Sequence, residues 1–204
     1  MEANKKNFSI EEAIKWGWEK TKKHFGFVVL VLIIYYLVSM LPSILQGRHG
    51  GGMFGGLLSL AVFVATMIMQ MGIMKMILKF YDGGMPKLNE IIYTKNLFEY
   101  FLGSLLYSLI VLGGIILLII PGIYWALRYQ FAPLLIVDKG LKPVEALKKS
   151  AVMTEGIKWK LLLLCLVMCG INLLGMLVFM VGLLVTIPVT TLAYVYIYRK
   201  ILAK

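Results

Sequence analysis

The chain is poor in acid, cysteine and histidine, and over long stretches it carries no charge at all. Among 204 residues there are 10 Asp and Glu against 21 Lys and Arg, with two cysteines and two histidines. Each shortage argues against a class of chemistry. Cys165 and Cys169 lie four apart in an apolar run, so they share one face of a helix. That spacing suits a disulfide poorly, and two thiolates alone make no metal site. They read as small packing residues. His24 and His49 are far apart, and neither stands in a metal-binding spacing such as HExxH. No Ser/His/Asp order, phosphate-cradling glycine loop or pair of intramembrane acids is present. The expectation is therefore no metal, no cofactor and no enzyme. No short apolar segment with a small-residue cleavage site follows the polar start, so no signal cleavage is expected. Helix-turn-helix cues and aromatic-rich strand motifs are also missing, which argues against nucleic acid despite a net charge of +11.

What fills the space is hydrophobic. Sixty per cent of residues are apolar, the charged share is 15%, and mean hydropathy is +0.86; soluble domains carry about 25% charged residues. Glu99 is followed by no charge until Arg128, and Lys160 by none until Arg199. A helix needs about 20 apolar residues to cross a bilayer of roughly 30 Å. The whole chain, 1–204, reads as one integral membrane domain of the all-α class, a polytopic transmembrane helical bundle. Six spans are expected: residues 25–45, 54–76, 97–120 and 122–137, then two sharing 161–198. As one helix that last run would extend about 57 Å, so it must turn back, between residues 175 and 182.

Orientation follows from the loops. The turn at 47–56 holds Arg48 as its one full charge and is glycine-dense, a flexible linker by composition. The break at Pro121-Gly122 and the turn near 175–182 hold none. By the positive-inside rule, both termini are cytoplasmic and three hairpins point outward. The expected location is a prokaryotic cytoplasmic membrane.

Each hairpin is preceded by an expected cytoplasmic amphipathic helix. Ser9-Ile10-Glu11-Glu12 is a capping box. After it, Ile10, Ala13, Ile14, Gly17 and Thr21 share one face, with Trp16 and Trp18 suited to the interface. A second such helix starts at Pro143, with Val144, Leu147 and Ala151 on one face and Lys148 and Lys149 exposed. A shorter one runs from Leu88 through Ile91 and Ile92. Asp82-Gly83-Gly84-Met85 with Leu88 and Ile91 matches Asp138-Lys139-Gly140-Leu141 with Val144 and Leu147, offset for offset. A threefold repeat over 8–81, 82–137 and 138–204 follows from that pattern, and repeats in membrane proteins often frame a central site.

Arg128 is the sharpest candidate. It stands seven residues, roughly 10 Å of helix, from the outer Pro121. Intramembrane charge is costly and is a functional candidate by default. Tyr124, Tyr129 and Gln130 share its span; Gln70, Tyr35, Tyr36 and Asn172 lie in others. Without a carboxylate partner, this guanidinium suits an anion such as a lipid phosphate. The competing reading is an Arg that snorkels or binds carbonyls freed near Pro133. Lys20, Lys22, Lys23, Lys148 and Lys149 are candidate contacts for anionic lipid. Pro42, Pro133 and Pro188 read as structural kinks, with Thr190 and Thr191 satisfying carbonyls beside Pro188. The Met-rich stretch 67–76 lacks the single face and the nearby Cys or His that copper would want, so it reads as packing. Asp82 and Asp138 read as surface turns.

The second half carries a recurrent series: Ile120-Pro121-Gly122-Ile123-Tyr124, Arg128-Tyr129, Ala132-Pro133-Leu134-Leu135-Ile136-Val137-Asp138, then Glu145-Ala146-Leu147-Lys148-Lys149-Ser150 and Gly156. It resembles uncharacterised prokaryotic six-span membrane proteins related to the membrane domain that accompanies some glycerophosphodiester phosphodiesterases. The resemblance covers about half the chain. It implies the fold and the membrane location but no activity and no functional residues, and the soluble phosphodiesterase domain is not in this chain. The functional expectation is a non-enzymatic module that binds anionic lipid, a membrane-protein partner or a second copy of itself. The alternative is a small transporter or lipid-handling protein with Arg128 lining a cavity.

Overall fold

The computed structural model describes residues 8–49, 53–178 and 181–203, with residues 45–49 and 54 described by backbone alone. The expected outer loop at 47–56 therefore falls partly outside the described residues, as do residues 179–180 of the expected turn between the last two spans. All regular structure among the described residues is helical, with no strand. In chain order the helices are α1 (Ile10–Lys23), α2 (Phe25–His49), α3 (Met53–Tyr81), a 3-10 turn (Leu88–Ile91), α4 (Leu97–Leu117), α5 (Ile119–Tyr129), α6 (Ala132–Lys139), α7 (Pro143–Met153), α8 (Lys158–Leu177) and α9 (Leu183–Leu202). Four stretches are long and apolar enough to cross a membrane: Phe25–Ile44, Gly55–Tyr81, Leu97–Leu117 and Lys158–Leu177. They sit within α2, α3, α4 and α8. These are the expected first, second, third and fifth spans.

The chain divides into two compact units. One comprises the described residues of Met1–Lys23 and Lys95–Lys204, the other those of His24–Thr94. In the second unit, α2 and α3 pack through Val31, Met69 and Met76, with Ile91 of the 3-10 turn closing the cluster. Met71 is fully buried as well, so much of the Met-rich stretch is core packing, which flexible thioethers do well. Gly72 is where the 3-10 turn meets α3: a Cβ there would stand 2.1 Å from the carbonyl oxygen of Ile91. Gln70 donates to the Tyr35 hydroxyl at 2.9 Å. Lys79 donates to Glu90 and pairs with it, and this contact holds the Glu90 carboxyl below its ordinary range. Just past the end of α3, Gly83 has a positive φ of 83° that lets the chain turn back on the last carbonyls.

In the first unit α1 runs antiparallel to α9. Ser9 Oγ accepts from the Glu12 backbone N–H at 3.2 Å, which starts the helix. The Glu12 carboxylate does not close the capping box; it accepts from the Tyr196 hydroxyl at 3.3 Å. Ala13, Gly17 and Thr21 are the buried residues of α1, as the shared face predicts. A Cβ on Gly17 would come within 2.5 Å of the Val189 carbonyl oxygen, so only glycine allows this approach. Trp16 lies against Tyr196, with ring centroids 5.4 Å apart.

The expected fourth span, 122–137, is not one helix. It is α5 and α6, broken at Gln130 and Phe131. Pro133 falls in the first turn of α6, where its missing N–H costs nothing. The break is sealed by α7. Ser150 Oγ donates to the Arg128 carbonyl at 3.0 Å and accepts from the Phe131 N–H at 3.2 Å. Thr154 Oγ1 lies 3.1 Å from the same carbonyl. An unsatisfied backbone group away from water costs several kcal/mol, on the order of 2–7, so these two hydroxyls make the break tolerable. Five of the eight residues of α6 are buried: Ala132, Leu134, Leu135, Ile136 and Val137. It ends at Gly140, in left-handed backbone with φ 65°.

The expected sixth span is α9, a 20-residue helix. Inside it, Thr191 Oγ1 donates to the Ile187 carbonyl at 2.7 Å, and Thr190 Oγ1 lies 2.9 Å from the Thr186 carbonyl. The two threonines thus cover carbonyls beside Pro188, as expected. Asn172 Nδ2 reaches Thr190 at 3.3 Å from α8.

Asp138 corrects a sequence expectation. It is not a surface turn residue. Its side chain is 6% exposed, and it accepts from Tyr198 Oη at 3.0 Å and Arg199 Nη1 at 3.1 Å. The carboxylate thereby ties the end of α6 to the end of α9.

Candidate functional site

Of the four candidates Arg128, Tyr124, Tyr129 and Gln130, the fold keeps both tyrosines beside the guanidinium and turns Gln130 away. Arg128 and Tyr129 line a cavity of about 470 Å³ in the first unit. Its wall comes from α7, through Val144, Leu147, Lys148, Ala151, Val152, and from Glu155 just beyond it, with Ile110 of α4 opposite. Tyr124 and Gln130 are not among the lining residues. Lys158 donates to the Tyr124 hydroxyl and stands 4.0 Å from its ring centroid. The Gln130 amide turns back to the Leu127 carbonyl at 3.2 Å, while its own carbonyl accepts from Tyr194 Oη at 2.8 Å.

The local folding explains why Arg128 points where it does. Its carbonyl is fixed by Ser150 and Thr154, so the last turn of α5 is locked against α7. The guanidinium carbon lies 5.9 Å from the Tyr129 ring centroid, a cation–π distance. Its Nε is buried and has no hydrogen-bond acceptor among the described residues. A charged donor in that condition is rare in a folded protein and needs an explanation.

The apolar stripe Val144, Leu147 and Ala151 has a different role from the one expected. These residues form cavity wall, while the buried residues of α7 are Ala146, Leu147, Ser150 and Met153. Val144 and Val152 remain largely exposed, at 55% and 64%. Together with Arg128, Lys148 and Glu155 they line a space that combines charged groups with apolar surface.

The remaining basic candidates fall elsewhere. Lys148 is on the cavity wall, and Lys149 is exposed on α7. Lys20, Lys22 and Lys23 fill the last turn of α1. Lys20 stands 5.7 Å from the Trp16 ring and Lys22 5.3 Å from the Trp18 ring, while Lys200 of α9 stands 5.3 Å from Tyr196. Among the described residues no cluster of His, Cys, Asp and Glu could hold a metal ion. Sequence reading missed Ile110, Glu155, Lys158 and the Ser150/Thr154 pair. The pair left one signal: two hydroxyls at i and i+4 on a short helix following a helix break.

Residues 105–204 match the family model described as Protein of unknown function (DUF975). That stretch lies wholly in the first unit and includes Arg128, Lys148, Asp138 and Arg199. Over 227 residues the chain is 26% identical to uncharacterised proteins of Mycobacterium bovis and Mycobacterium tuberculosis, covering 95% of this chain and 69% of each relative. A further uncharacterised Mycobacterium tuberculosis protein is 25% identical over 226 residues, with the same coverage. None of these names carries a link to glycerophosphodiester phosphodiesterases. No solved structure matches.

Proposed function

We propose that this chain is a non-enzymatic integral membrane module that binds anionic lipid. In this reading six spans form three hairpins in a prokaryotic cytoplasmic membrane, with both termini on the cytoplasmic side. Helices α5 with α6, and α9, serve as the fourth and sixth crossings. Support for the membrane comes from the four apolar stretches and from the exterior they present: Leu37, Ile44, Leu57, Leu109 and Leu166 are each more than half exposed. Such a surface in water would drive aggregation.

The observation that carries lipid binding is the pairing of cations with aromatic rings along α1 and the end of α9. Lys20 with Trp16, Lys22 with Trp18, and Lys200 with Tyr196 combine an amphipathic ring with a long snorkelling cation. These are the side chains that settle at the headgroup level of a bilayer. Each basic residue near an anionic surface contributes about 1 kcal/mol. Replacing Lys20, Lys22, Lys23, Lys148 and Lys149 together by Gln is expected to reduce the enrichment of anionic lipid around the purified protein by at least tenfold. Unchanged enrichment abandons the reading.

A second reading, a small transporter or lipid-handling protein, is favoured by one observation: Arg128 does line a cavity of ligand size. It predicts that Arg128→Ala abolishes substrate movement across proteoliposomes while the protein stays folded.

A further inference from the structure

We infer that the cavity between α4, α5 and α7 binds a phosphate ester, with Arg128 as its anchor and Lys148 as its second cation. The inference rests on the lipid-binding reading and names the place and the chemistry that reading lacks. Three features lead to it. The first is Arg128 itself, a cation on the cavity lining beside Tyr129. A guanidinium presents a planar fork of donors that matches two phosphate oxygens. The second is Lys148, which lines the same cavity from α7, a mobile point charge able to meet a third oxygen. Glu155, also on the wall, is the one acid there and faces the same space. The third is the apolar remainder: Ile110, Val144, Leu147, Ala151 and Val152.

That division fits an amphiphile. The phosphate sits against Arg128 and Lys148, and an acyl chain lies over Val144 and Val152, whose exposure leaves room for it. The volume of about 470 Å³ falls within the range of ordinary small-molecule sites, roughly 300–1,000 Å³. It holds a headgroup and the start of a chain, with the rest of the lipid outside. The site is preorganised, because Ser150 and Thr154 fix the Arg128 backbone independently of its side chain. Removing the guanidinium therefore leaves the helix break sealed.

Phosphatidylglycerol and inorganic phosphate share the chemistry the cavity recognises, and the test separates them. The full chain in detergent is titrated with short-chain phosphatidylglycerol, phosphatidylcholine, glycerol 3-phosphate and inorganic phosphate, and bound molecules are counted by native mass spectrometry. Arg128→Gln removes the anchor. Ala151→Phe fills the cavity and keeps every charge. Size-exclusion profiles and helix content confirm that both variants fold. The expected result is saturable binding of phosphatidylglycerol that weakens about tenfold in each variant, the loss of a charge-assisted contact or of the space for it. It is expected to persist when Lys20, Lys22 and Lys23 become Gln. Equal binding in wild type, Arg128→Gln and Ala151→Phe overturns the cavity assignment and leaves general lipid binding standing. Binding of inorganic phosphate or glycerol 3-phosphate alone, lost in both variants, supports the phosphate site and overturns the lipid-binding reading. Absence of any phosphate-bearing adduct overturns both.

Discussion

The two units of the molecule place their polar groups differently. The unit of α2, α3 and the 3-10 turn has a small core of Val31, Met69, Met76 and Ile91. The ion pair of Lys79 with Glu90 in this unit is partly exposed. The other unit buries most of a helix, α6, and half of α9. It places Asp138, Arg199, Tyr198, Ser150 and Thr154 inside. The contrast teaches where chemistry can reside. Two apolar helices packed as a pair rely on their surroundings to cover them. A unit with an interior of its own can break a helix, seal the break with side chains, and leave a cation beside a cavity. The match to a family model falls on the unit that holds α6 and α9.

The contrast breaks most sharply at Asp138. Asp138→Ala withdraws the carboxylate that Tyr198 and Arg199 share in a setting with little solvent. Its loss is expected to cost about 3–5 kcal/mol, read as an earlier thermal transition in detergent and faster amide exchange in α6 and α9. Amide exchange in α2 and α3 should stay unchanged, because their packing is independent of this pair. Faster exchange throughout would mean that the two units are not separate in stability.

Next come the close approaches, one in each unit. Gly17→Leu drives a side chain into the α9 backbone, and Gly72→Leu drives one into the carbonyl of Ile91. Overpacking of this kind costs about 1–3 kcal/mol. Each effect should stay within its own unit, as mapped by exchange: α1 and α9 for the first, α3 and the 3-10 turn for the second. A smaller loss, about 1 kcal/mol, is expected from Thr154→Val. Ser150 keeps the Arg128 carbonyl satisfied there, and the loss should appear in exchange at residues 128–132. Ser150→Ala should exceed it, because Ser150 also serves the Phe131 N–H.

Much of this was legible in the sequence, and the reason is physical. Charge-free runs announce long apolar helices, so α2, α3, α4 and α8 could be drawn from the sequence to within a few residues. The capping serine, the small-residue face of α1 and the threonines beside Pro188 are local signals, and local signals survive folding. Contacts made at a distance were not legible. Asp138 sits in a turn sequence and looks solvated until Arg199, 61 positions later, is brought to it. Residues 122–137 look like one span because hydropathy does not register that Ser150 and Thr154 will replace the missing backbone bonds. Arg128 was visible as an anomaly of charge, but the cavity beside it depends on how α7 docks, which the period of α7 does not reveal.

The smallest expected effect is one of pH. The Glu90 carboxyl is held low by Lys79, so its contribution is complete above the ordinary carboxylate value of about 4.3. It fades as pH falls through the lowered value in the folded protein. Because the pair is partly exposed, the loss should be under about 1 kcal/mol. It should be visible as faster exchange near residues 88–91 in acid, and it should vanish in Glu90→Gln.

The central claim is that lipid covers the apolar exterior while protein covers α6 and α9. Single cysteines test it directly, placed by turns at Leu37, Leu109, Leu166, Leu135 and Ile197 in a background with Cys165 and Cys169 changed to Ala, spin-labelled and reconstituted in bilayers. The first three positions are exposed and the last two fully buried. The account predicts strong relaxation by oxygen, which partitions into lipid, at residues 37, 109 and 166, and little from either oxygen or a water-soluble nickel chelate at 135 and 197. Nickel access at 37, 109 and 166 would contradict it.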